Sequence, residues 1–154
     1  MSTNPGGAVY GTITVGALLA AETGQRETYG ETIAAVVLAL LLYWLAHAYA
    51  ALAGERLAEG TKLTFAALGH ELLRELSMLA GAALPLLAVL FAWVAGAPLS
   101  TALTVGVISA ALAVVATEIV AAVRAELSGG ELVQQAAIGA VLGCLVFAVK
   151  AVLH

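Results

Sequence analysis

Residues 33–53 read IAAVVLALLLYWLAHAYAALA, a run of aliphatic and aromatic side chains broken by one ionisable group, His47. At about 1.5 Å per residue, a helix of this length covers roughly 30 Å, the hydrocarbon thickness of a bilayer. Three further stretches have the same character: Leu76 to Ala95, Leu99 to Val123 and Leu132 to Leu153. Each reads as a transmembrane helix, because a bilayer offers no water to unpaired backbone groups. Ala8 to Ala21 is shorter and softened by Gly11, Thr12, Thr14 and Gly16, which predicts a short or broken first span.

The rest of the chain agrees. Its 154 residues are 62% hydrophobic and 10% charged, with a mean hydropathy of +1.04, outside the range of soluble domains. The expectation is an all-α, polytopic bundle of five transmembrane helices filling one domain, residues 1–154, with the lipid bilayer as its first partner. Met1 to Gly7 lacks the basic region of a signal peptide. The net charge of −4 supplies no basic patch for nucleic acid. The lone Cys144 has no partner for an internal disulfide.

Orientation follows from Lys and Arg in the connections. Arg56, Lys62, Arg74 and Arg124 fall on one side, against Arg26 on the other and Lys150 near the final helix end. The N-terminus is therefore expected in the cytoplasm, in a bacterial-type plasma membrane. Residues 54–75 form the long cytoplasmic connection. Thr61 or Thr64 could cap a helix there, either lying at the interface or extending the third span inward. "GAP" at 96–98 makes the third and fourth spans antiparallel neighbours, and "SGGE" at 128–131 ends the fourth. Pro85 removes one backbone hydrogen bond from the third span and predicts a kink. Gly139 and Gly143 form a GxxxG motif in the last, where another backbone can approach closely, from within the bundle or from a second subunit.

Ionisable groups inside a membrane cost about 2.5–3.5 kcal/mol at mid-helix, so they mark function. His47 and Glu118 lie at similar depths below the inferred cytoplasmic surface, and if their helices adjoin each would offset the other's desolvation. Together they would serve as a proton relay or as ligands of a transported divalent metal. Ser100, Thr104 and Glu118 share one face of the fourth span, and Tyr43 precedes His47 by four. In "HELLREL" (70–76) Arg74 stands where a zinc-protease helix needs its second histidine, which excludes that site. Glu71 and Glu75 remain, four apart on one face, as collectors of cations at a cytoplasmic mouth. No nucleophile with its base, phosphate loop or haem-ligand pattern occurs, so neither an enzyme nor a bound cofactor is expected.

The segments "YGTITVGALLAA" (10–21), "AHAYAAL" (46–52), "GAALPLLAVLFAWVAGAPLSTALTVG" (81–106) and "VRAELSGGELVQQAAIGAVLGCLVFAVKAVLH" (123–154) resemble the vacuolar iron transporter family in the order and character of their helices. The resemblance implies a five-helix protomer that forms a homodimer and exports ferrous iron or a similar divalent cation, exchanging it for protons. At the family's acidic positions this chain differs. Tyr10 stands before Gly11 in place of aspartate, and Ala48 before Tyr49 in place of glutamate, with His47 alongside. Two functions are consistent with these readings: a cation or proton transporter using His47 and Glu118, or a non-transporting membrane module that packs or binds a partner through its GxxxG face and its cytoplasmic segment.

Overall fold

The computed structural model describes residues 5–22, 28–60, 64–125 and 128–153. Every regular element among them is helical: α1 (Pro5–Ala21), α2 (Tyr29–Glu59), α3 (Phe65–Arg74), α4 (Leu76–Val94), α5 (Leu99–Arg124) and α6 (Gly129–Leu153). Four of them, α2, α4, α5 and α6, are long and apolar enough to cross a membrane. At 17 residues, α1 reaches only about 25 Å. Arg26 and Lys62, which helped to orient the chain, lie outside the described residues, as does Thr61.

Local signals set the helix ends. α2 and α6 open on the same capping box, in which a carboxylate three residues after the cap reaches back to its backbone N–H. Glu31 accepts from the Thr28 N–H at 2.8 Å and its hydroxyl at 2.9 Å; Glu131 does the same with Ser128 at 2.9 and 2.7 Å. Thr64 caps α3 through the Ala67 N–H at 3.2 Å. The turn between α4 and α5 is made possible by Gly96 at φ +80°, where a side chain would be strained. The 54–75 connection is more helical than expected: α2 runs through Gly54 to Glu59, and α3 leads into α4 through one bent residue, Glu75. α3 and α4 are thus consecutive helices joined at a bend.

The short α1 is the central helix, packed on α4, α5 and α6, with Val15, Leu19 and Ala20 fully buried. Glycine explains how it fits. A methyl group on Gly11 would overlap the Met78 carbonyl of α4, and one on Gly81 would overlap the Ala8 carbonyl of α1. These contacts are reciprocal, and they have a register: Ala8 and Met78, Gly11 and Gly81, and the α2 and α5 starts Tyr29 and Leu99 are each 70 positions apart. Leu19 and Val89, also 70 apart, both reach Gly106 of α5, which requires α1 and α4 to run parallel. α1 and α4 thus meet through reciprocal contacts, whereas the helices that follow them differ: α5 packs on both and α2 lies at the edge.

Pro85 cannot donate to the Gly81 carbonyl one turn earlier. Thr12 donates to it instead, across the α1–α4 contact, at 2.8 Å. On the far side Gly139 and Gly143 of α6 face Val115, Glu118 and Ala111 of α5, so the GxxxG face is used inside the chain. α2 is the peripheral helix, with few contacts to α1 or α4. The outer surface of the spans is mainly apolar; Leu42 is 60% exposed and Phe91 74%, a covering suited to lipid.

Candidate functional site

The polar residues that the fold gathers lie where α1, α2, α3 and α4 meet. α2 brings His47 to this corner, and its ring stacks on Tyr10 of α1 with centroids 5.2 Å apart at 26°. His47 Nε2 lies 3.8 Å from Glu75 Oε2. Glu75 occupies the bend between α3 and α4, one turn after Glu71, and both residues are 3% exposed. Arg74 serves three carboxylates: Glu71 at 2.8 Å, and Glu55 and Glu75 at 3.8 Å each.

That short Arg74–Glu71 distance is a charge contact without hydrogen-bond alignment, so Glu71 Oε1 is buried with no directed donor. Trp44 Nε1 and Ser77 Oγ are likewise buried without a hydrogen-bond partner. Trp44 lies one turn before His47 on α2 and Ser77 two residues beyond Glu75 on the antiparallel α4, so unsatisfied polar atoms continue inward from the corner. Arg74 thus lies within 4 Å of three carboxylates, and His47 approaches one of them, Glu75, from α2.

The carboxylate Glu71 of α3 and the following Glu75 face the protein, whereas Phe65 is 95% and Leu73 66% exposed. His70 and Arg74 share the exposed face with them, and Leu68 and Leu72 are half-buried beside Glu71, so α3 buries one carboxylate among leucines while its outer face is mixed.

The expected pairing of His47 with Glu118 does not form within the chain. α2 and α5 do not pack together, because α1 and α4 lie between them. His47 meets Glu75, and Glu118 accepts a hydrogen bond from Gln135 Nε2 of α6 at 2.8 Å. The polar stripe on α5 is also satisfied locally: Thr104 Oγ1 donates to the Ser100 carbonyl at 2.9 Å. Tyr43, expected beside His47, is 48% exposed on the outer surface. Glu71 and Glu75 do share a face. Their link to His47, the central place of Arg74 and the roles of Tyr10, Trp44 and Ser77 depend on contacts between helices, and no sequence spacing signals them.

No group of three His, Cys, Asp or Glu side chains converges to hold a metal ion among the described residues. Comparison with known proteins finds no matching family model and no similar curated protein or solved structure.

Proposed function

We propose that this is a membrane transporter of a proton or another small cation, with five membrane-embedded helices, a cytoplasmic N-terminus and a cytoplasmic mouth formed by His47, Glu71, Arg74 and Glu75. The carrying observation is the pair of buried carboxylates where α3 bends into α4, Glu71 against Arg74 and Glu75 facing the His47 imidazole of α2 at 3.8 Å. Proton binding needs one lone pair and no coordination sphere, which suits a site with several carboxylate oxygens and no three-ligand metal cluster among the described residues. The resemblance to vacuolar iron transporters supports the same class, with Tyr10 at one of that family's acidic positions stacked on His47, the neighbour of Ala48 at the other. A homodimer of this protein, in a bacterial-type plasma membrane, would form through a surface other than the Gly139–Gly143 face.

The test is ion flux in proteoliposomes, with proton and divalent-metal gradients applied separately. Glu75→Gln is expected to abolish flux and Glu118→Gln to preserve it, because only Glu75 belongs to the corner. Full flux in Glu75→Gln would remove the corner from the pathway. A second reading, a non-transporting packing module, is favoured by one observation: the α5 polar residues and the GxxxG glycines are engaged in internal contacts. Absence of flux for every ion tested, in folded protein, would support it.

A further inference from the structure

The groove between α2 and α4 has a volume of about 620 Å³. Its walls include Ile33 and Val37 of α2 and Ala83, Leu87, Leu90 and Trp93 of α4, and almost no polar surface faces it. Topology does not require this space. The equivalent positions on α5, 70 residues further on, are Leu103 and Val107, both fully buried, and α5 packs directly on α1. Val37, by contrast, is 36% exposed, and α2 barely touches α4.

α2 and α4 are joined at two levels, one at the mouth of the groove and one beyond it. At the mouth Tyr29 stacks on Trp93, centroids 5.3 Å apart, and its hydroxyl donates to the Ala97 carbonyl. Past the groove, towards the C-terminal end of α2, His47 meets Glu75. A transmembrane helix therefore cannot lie between α2 and α4 along their length. The remaining way in is sideways, from the level of the bilayer that the four spans define. We propose that the groove binds a single lipid acyl chain, with the Tyr29–Trp93 pair at the level of the headgroup, where aromatic side chains concentrate. This depends on the chain spanning a membrane and not on its transporting anything.

Trp93 provides the probe. With Trp44→Phe it is the sole tryptophan, and the protein in nanodiscs of saturated phosphatidylcholine can be titrated with dibromostearate, whose bromines quench indole fluorescence on contact. A bound chain gives quenching that saturates while the brominated chain is still a minor component of the bilayer; Ala83→Phe, which fills the groove, should weaken that component roughly tenfold or more. The same change on the far lipid-facing surface, Ile138→Phe, should leave it intact. Quenching that rises in simple proportion to the brominated fraction, or that is equal with and without Ala83→Phe, would overturn the proposal. So would a disulfide-linked dimer of Val37→Cys in a Cys144→Ser background, because a second copy would then cover the groove.

Discussion

Thr12 Oγ1 donates to the Gly81 carbonyl at 2.8 Å, the carbonyl that Pro85 leaves without its helical donor. The same hydroxyl lies 2.9 Å from the Ala8 carbonyl of its own helix, so one proton is shared between the two acceptors. The proline-bearing turn of α4 is thereby tied to the central helix. Thr12→Val is expected to destabilise the protein by about 0.6–1.7 kcal/mol, the range for interhelical hydrogen bonds in membranes. In a Pro85→Ala background, where the substituted residue supplies its own backbone N–H to Gly81, the cost should shrink. A double-mutant cycle in reversible detergent unfolding measures this coupling, and equal costs in both backgrounds would count against it.

Reciprocal glycines set the α1–α4 distance. Gly11→Ala and Gly81→Ala place a methyl on a facing carbonyl, which can be relieved only by moving the helices apart, and each should lower the melting temperature clearly. Gly54→Ala is the control: it is helical with nothing within 4 Å of the added carbon, so the change should gain about 0.5–1 kcal/mol from backbone entropy. Thermal melts in detergent compare the three.

Gly143 faces the Ala111 backbone of α5, with a built Cβ 3.1 Å from the Ala111 carbonyl oxygen. Gly143→Leu should therefore weaken the single chain and leave its oligomeric state unchanged. Light scattering alongside a thermal melt separates the two effects. A lost dimer with an unchanged melt would return the GxxxG face to an intersubunit role.

Gln135 holds the half-buried Glu118. Gln135→Leu leaves that carboxylate without its amide donor and should cost about 1–3 kcal/mol, whereas Glu118→Gln keeps an acceptor oxygen for Gln135 and should be nearly neutral. Chemical denaturation of the two variants reads the difference.

Tyr29 anchors the N-terminal end of α2 by its hydroxyl and its stack on Trp93. Tyr29→Phe keeps the stack and removes the hydrogen bond, at a cost of about 1 kcal/mol. Backbone amides of the first α2 turns should then exchange faster, while those around His47 remain protected. Hydrogen-exchange mass spectrometry measures both regions in one experiment.

Sequence by itself determined the helices, because length, hydropathy and caps are local properties. The four long spans, the break at 128–131, the tight turn at Gly96 and the proline in α4 could be read one segment at a time. The role of Gly54 could not: its flanking residues continue the helix and nothing crowds it, so the expected break was absent. Tertiary structure decided which polar groups meet. His47 and Glu118 share a depth, but depth says nothing about angular position around a bundle. Once Gly11 and Gly81 let α1 and α4 lie in contact at the centre, α2 and α5 were separated, leaving His47 to Glu75 and Glu118 to Gln135. Helix formation satisfies the backbone within each segment, whereas partner choice follows from small-residue packing between segments far apart in the chain.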